Sequence, residues 1–209
     1  VGVDDAMLAS WIENRELVKT ETGIQTDAKS LAATVGLLKA INDYGLQRLI
    51  SFHSRVRGAE AFAKEIHAVQ EWQPKETRLT RKLNSDYVSG VMPTNKRRQK
   101  LSQLKDVADG EVALLSNARC LSEGVDVPSL DGVVFIDPKN SQIDIIQAVG
   151  RAIRLSESKT IGTIILPVFI EKGDTAEEVI ERSEFKQIWS VLAALKAHDE
   201  TLANELTQL

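Results

Sequence analysis

One cysteine, Cys120, occurs in 209 residues. A single thiol cannot close an internal disulfide, so disulfide stapling is excluded and a reducing, cytoplasmic setting is expected. Cys120 itself reads as a small buried apolar group. Aromatic residues make up only 5% of the chain, so the core must rest on Leu, Ile, Val and Ala. Apolar runs such as Ile161–Ile170 are far too short to span a bilayer, and no signal-peptide pattern is visible. No Gly-x-x-x-x-Gly-Lys-Ser/Thr loop is present, and no apolar strand ends in an acidic Asp-Glu box. The chain therefore lacks the parts that cradle β- and γ-phosphates and their metal. His53, His67 and His198 are scattered and show no metal-ligand spacing. His198-Asp199 lacks the further ligands of a metal phosphohydrolase. There is no Ser-His-Asp or Cys-His arrangement, no acidic nuclease cluster and no glycine-rich methyltransferase loop.

What is present is ordinary in bulk and uneven in detail. Hydrophobic residues are 43% and charged residues 27%, as in globular proteins. The length suits one domain with appendages and a full core. The chain opens Val-Gly-Val rather than with Met, so it is expected to be an excerpt of something longer. Net charge is −4, but Lys75–Lys105 is basic. It holds Lys75, Arg78, Arg81, Lys82, Lys96, Arg97, Arg98, Lys100 and Lys105 against only Glu76 and Asp86. Such a run is either a solvated surface or a local anion-binding face.

Periodicity predicts helices over Asp4–Val18 and from Asp27, as the cap, to about Asp43, ended by Gly45. Short strands are then expected at Arg48–Phe52, Tyr87–Val91, Glu111–Ser116 and Gly132–Asp137, with a longer one at Thr160–Phe169. Helices are expected at Gly58–Trp72, Thr94–Val107, Ser141–Arg154, Asp174–Ser183 and Glu184–Leu206. The last carries Phe185, Ile188, Trp189, Leu192 and Leu195 on one face. This alternation predicts an α/β fold: a mostly parallel sheet with helices on both faces. Ligands of such sheets bind beyond the carboxyl ends of the strands. The loops after Phe52, Gly90, Ser116 and Asp137 are where chemistry is to be sought.

The sharpest pattern is Gln147-Ala148-Val149-Gly150-Arg151-Ala152-Ile153-Arg154. On a helix it sets Gln147, Arg151 and Arg154 along one face. Two guanidiniums a turn apart repel unless an anion neutralises them, and both are forks that match phosphate oxygens. Gly150 inside a helix costs about 1 kcal/mol against alanine, which suggests that something approaches closely there.

Gln-x-x-Gly-Arg-x-x-Arg resembles the sixth motif of superfamily 2 (DEAD/DEAH-like) helicases. The resemblance implies a RecA-like fold for the chain. It implies that Gln147 approaches nucleotide phosphates and that Arg151 and Arg154 are arginine fingers. Upstream, Leu114–Pro128, with Ser116, Asn117, Glu123, Gly124, Val125, Asp126 and Pro128, is similar to the fifth motif. By that resemblance Gly124 lets the backbone approach the nucleotide, Asp126 sits near the ribose beside Glu123, and strand-end Ser116, with Asn117, meets the nucleic-acid backbone. Leu49–Val56 resembles the fourth motif, making Ser54 and Arg55 candidates for phosphate contact. Ser54 can alternatively cap the following helix. Val88-Ser89-Gly90 and Thr94–Leu104 resemble the adjoining strand-glycine-basic-helix element, with Gly90, Arg97 and Arg98 near nucleic acid.

The resemblance covers roughly residues 45–172 as a second RecA-like domain, with a helical extension at 1–44 and another at 173–209. It implies ATP and Mg2+ as cofactors, held mainly by a first RecA-like domain elsewhere in the same polypeptide. By itself the chain is expected to be inactive in hydrolysis. Segment Asn140–Ile146 and the C-terminal helix look similar to helicases within bacterial single-polypeptide type I restriction or phage-defence proteins, which favours DNA over RNA. The same residues admit an alternative: a non-catalytic module that binds nucleic acid or a partner protein.

Overall fold

Strand β3, Arg48–His53, is built from an apolar run buried on both sides, and it takes the centre of the sheet. The computed structural model describes residues 17–19, 25–118, 130–137, 146, 150, 162–168, 170 and 174–198. Chain order begins with β1 (Leu17–Lys19), β2 (Gln25–Asp27) and helix α1 (Ala28–Asp43). After β3 come α2 (Val56–Trp72), β4 (Lys82–Ser89), α3 (Thr94–Lys105) and β5 (Glu111–Ala118). Then follow β6 (Gly132–Asp137), β7 (Thr163–Ile165), α4 (Ala176–Arg182) and α5 (Lys186–His198). The main sheet has the order β4-β5-β3-β6-β7, and every neighbouring pair is parallel.

The alternation of side chains in each strand sorts the core into two layers. Leu49, Val112, Leu114 and Val134 face α1 and α2, meeting Leu31, Leu38, Ile41, Ile66 and Val69. Ile50, Ala113, Leu115, Val133 and Phe135 belong to the other layer, with Leu101 and Leu104 of α3 and Ile180, Phe185, Ile188 and Leu192 from the C-terminal segment. Strands covered on both sides carry near-continuous apolar runs, which is how a parallel sheet reads. Helix α1 and the 174–198 segment, set apart as extensions in the sequence, pack here as covering layers of the sheet.

Several boundaries differ from expectation. Leu17 and Val18 pair antiparallel with Asp27 and Thr26 instead of continuing a helix, in a stretch where Val and Thr favour strands. Residues 4–16 of that expected helix lie outside the described residues. Strand β4 begins at Lys82, five residues earlier than expected. It is an edge strand whose Lys82 and Asn84 are exposed, so it lacks an apolar run. Strand β5 continues through Ala118, two residues past its expected end. Within the described residues β7 is only Thr163–Ile165, because β6 offers it the partners Gly132, Val133 and Val134. Helix α4 opens with a capping box: Thr175 Oγ1 accepts from Glu178 N at 3.3 Å, and Thr175 N donates to Glu178 Oε2 at 3.0 Å.

Gly45 ends α1 with φ +63°, and no atom lies within 4 Å of where a Cβ would stand. Alanine there meets no clash but must hold a left-handed backbone. Gly45→Ala is expected to cost about 1 kcal/mol, read as a lower denaturation midpoint with an unchanged slope.

Candidate nucleotide and nucleic-acid face

The carboxyl ends of four adjacent strands make one edge. Register places Ser89 of β4 beside Ala118 of β5, Phe52 of β3 beside Asn117, and His53 of β3 beside Asp137 of β6. At about 4.8 Å per strand, the edge from Ser89 to Asp137 spans about 14 Å. Gly90 sits exposed in the turn after β4, and Ser54 and Arg55 in the turn after β3. The sequence candidates Ser54, Arg55, Gly90 and Asn117, from three separate segments, thus lie at one edge of the sheet.

Their individual environments differ. Arg55 is exposed and holds the N-cap position of α2 without any side-chain cap. The N-cap position is thus one residue past Ser54, whose hydroxyl donates to Asp137 Oδ2. Arg98 is exposed, whereas Arg97 is half-buried and donates to Thr94 Oγ1 at 3.2 Å. Ser116 is not at the strand end. It is fully buried, and its Oγ accepts a hydrogen bond from Ser51 Oγ at 2.9 Å. Its hydroxyl is therefore spent inside the sheet, because the strand runs on to Ala118. Asn117 is also buried. Ile146 and Gly150 are helical, in keeping with the helix expected over Ser141–Arg154. A Cβ at Gly150 would meet nothing within 4 Å among the described residues, so its close neighbour is not found there. Gln147, Arg151, Arg154, Glu123, Gly124 and Asp126 lie outside the described residues.

A buried polar row lies beneath this edge. Ser51 Oγ gives its proton to Ser116 Oγ and stands 3.0 Å from His53 Nε2. His53 packs against the Phe62 ring of α2 at 5.0 Å. Burial pushes its imidazole down to about 4, against the upward pull of the Asp137 carboxylate. The group is neutral at physiological pH. Composition alone hid this row. Its signal is Ser51 and His53, two positions apart in β3, with Ser116 set among apolar residues of β5.

The basic run divides into two kinds. Arg81 donates to Ile41 O at 2.7 Å and Gly45 O at 3.3 Å, closing the carboxyl end of α1. Arg78 does the same for α2 at Gln73 O, 2.6 Å, and at Glu71 O. Lys82 pairs with Glu111 at 2.9 Å, and Lys100 pairs with Asp86. Lys96 and Arg98 remain exposed on α3, the helix that follows the Gly90 turn. The run is therefore part helix-end scaffolding and part surface charge. An open cavity of about 700 Å³ lies along the outer strand, lined by Asn84, Asp86, Gln103 and His67. It is away from the strand ends and gathers none of the candidate residues. Among the described residues no group of three or more His, Cys, Asp or Glu could hold a metal. No helix among them is long and apolar enough to cross a membrane.

Comparison with known proteins bears on this face. Residues 38–156 match the model of the family described as "Helicase conserved C-terminal domain". "Putative ATP-dependent helicase IRC3" of Saccharomyces cerevisiae is 32% identical over 77 residues, covering 37% of this chain and 11% of that protein. "Putative helicase 22" of Sulfolobus islandicus filamentous virus is 32% identical over 81 residues, covering 39% and 14%. Among solved structures, the "ATP-dependent Type ISP restriction-modification enzyme LlaBIII bound to DNA" superposes with a TM-score of 0.67 at 30% identity. That match covers 84% of this chain and 12% of LlaBIII. The chain thus spans between a tenth and a seventh of the length of these relatives. The family match takes in more than half of the 209 residues, and the five-stranded parallel sheet between helical layers is the RecA-like fold that such domains adopt. The chain belongs to the helicase conserved C-terminal domain family.

Proposed function

We propose that the chain is the second motor domain of an ATP-dependent DNA helicase or translocase and supplies arginine fingers and half of the nucleic-acid track. The observation that carries this is the family match across 38–156, which contains Glu123–Asp126 and Gln147–Arg154 in motif order. The donor set fits a polyphosphate: Gln147–Arg154 offers two guanidiniums and an amide, with no carboxylate among its eight residues. ATP with Mg2+, when bound against the first motor domain, supplies the phosphoanhydride bond whose cleavage drives movement. On this chain Arg151 and Arg154 neutralise charge that develops in phosphoryl transfer, and Gln147 approaches the phosphates. Gly124 and Asp126 line the nucleotide's sugar side, with Glu123 and Gly150 beside them.

The strand-end turns at Ser54-Arg55 and Gly90, with Arg98 on α3, grip the phosphate backbone. Such contacts fix position without reading sequence, so binding is sequence-tolerant and weakened by salt. DNA is favoured over RNA by the likeness to LlaBIII, whose structure is described as DNA-bound. The same likeness favours a large restriction or phage-defence polypeptide as the parent.

Hydrolysis assays on the 209-residue chain and on its parent protein, each with duplex DNA, single strands or RNA, test this. No turnover by the chain and DNA-stimulated turnover by the parent are expected. Turnover by the isolated chain would reveal a complete nucleotide site within it and end the motor-half reading.

A further inference from the structure

We propose that Asp137 is a positioning residue that couples the nucleic-acid grip after β3 to the finger-bearing segment after β6. The inference rests on the motor reading above and deepens it. Asp137 is the last residue of β6, and its Oδ2 accepts the hydroxyl proton of Ser54. Ser54 opens the turn that carries exposed Arg55 at the head of α2. Asp137 is followed by Pro138, whose ring fixes φ and which has no N–H to give. Ten residues later comes Gln147, and four beyond that Arg151. One carboxylate therefore holds the turn proposed to grip DNA and launches the segment proposed to touch ATP.

The local geometry is built for this contact. The β3–β6 register runs in step from Leu49↔Gly132 to Phe52↔Phe135, then skips Ile136 so that His53 faces Asp137. An extra residue at a strand end re-aims the side chain that follows it, at the expense of regular pairing. Here the re-aimed side chain is Asp137. Beneath it, Ser116, Ser51 and His53 tie β5 to β3, and β5 leads into Glu123–Asp126. His53 is neutral, so it does not form an ion pair with Asp137. On this proposal a shift of the Ser54 turn under DNA is felt at Asp137 through one side-chain contact, at the strand end from which the finger segment departs in sequence.

The test uses the parent protein and reads the ratio of DNA-stimulated to basal ATP turnover. Asp137→Ala should lower that ratio about tenfold, a usual size for coupling between sites. Basal turnover and DNA affinity should stay within about twofold of the parent, as expected when only coupling is lost. Asp137→Asn keeps an acceptor for Ser54 and should restore most of the stimulation. An undiminished ratio in Asp137→Ala, or no recovery in Asp137→Asn, would overturn the coupling role. If Asp137→Ala fails to fold, Ser54→Ala against Ser54→Thr makes the same comparison, and equal stimulation in the two overturns it. A parent with no DNA stimulation at all defeats the motor reading itself, and the coupling with it. A stimulated parent indifferent to Asp137 defeats only the coupling.

Discussion

Arg151→Ala is expected to lower the DNA-stimulated ATP turnover of the parent protein by about a thousandfold or more. An arginine finger acts on charge that grows only as the phosphoryl group transfers. Its loss should therefore fall on kcat and leave the KM for ATP within a few-fold. Arg151→Lys keeps the charge but loses the planar fork, so it should recover only a small part of the rate. The thermal midpoint of the 209-residue chain should move by no more than a few degrees, separating lost chemistry from lost fold. Turnover within threefold of the parent would remove the finger role. It would favour the non-catalytic module, which predicts that Arg151 and Arg154 are replaceable without consequence.

Acidification should destabilise the isolated chain through His53, by about 3 kcal/mol between pH 6.5 and pH 4. The imidazole titrates near 6.5 when unfolded and is pushed down to about 4 by burial in the fold. Between those values the unfolded chain binds a proton that the folded chain refuses. The His53 contribution is therefore complete above pH 6.5 and lost as pH falls through 4. Glu65, half-buried on α2, has its carboxyl raised by burial, which works in the opposite direction over the acidic range. The clean measurement is therefore a difference. Denaturant unfolding of the chain and of His53→Gln should diverge most at pH 7 and converge near pH 4. Gln offers an N–H toward Ser51 but does not titrate. Parallel stability profiles for the two proteins would show that His53 is not the group responsible.

The architecture was legible where chemistry and packing agree. Arg48–His53 and Gly132–Asp137 are short apolar runs, and the sheet buries both. Glycine marked the end of α1 because only the left-handed region closes that turn cheaply. Legibility failed at the margins of the sheet. Lys82 to Asp86 reads as loop because an edge strand exposes polar side chains. Thr160–Phe169 reads as one long strand, but apolar content does not say how far a neighbour's pairing extends. The site was legible as motifs and not as contacts. Ser116 was assigned by resemblance to a strand end, whereas the real strand carries it inward to Ser51. Ser54 was open to two roles at its turn, and a residue 83 positions away decides its contact. Asp137 drew no notice because an aspartate before proline looks like a strand stop, and nothing local announces a partner on β3.

The central position of β3 also dictates how the chain can fold. Arg48 finds its neighbour Ala113 on β5 only 65 residues downstream, and its neighbours on β6 come later still. The β4–β5 pair is closer, with Lys82 meeting Glu111 across 29 residues. Closing the shorter loop costs less entropy, so the β4–α3–β5 unit is the favoured nucleus. On the ribosome, β3 emerges before either strand that flanks it. Until Ala118 has been made, the central strand of the sheet has both edges bare. Any chain truncated before that point carries an open, hydrophobic pairing surface.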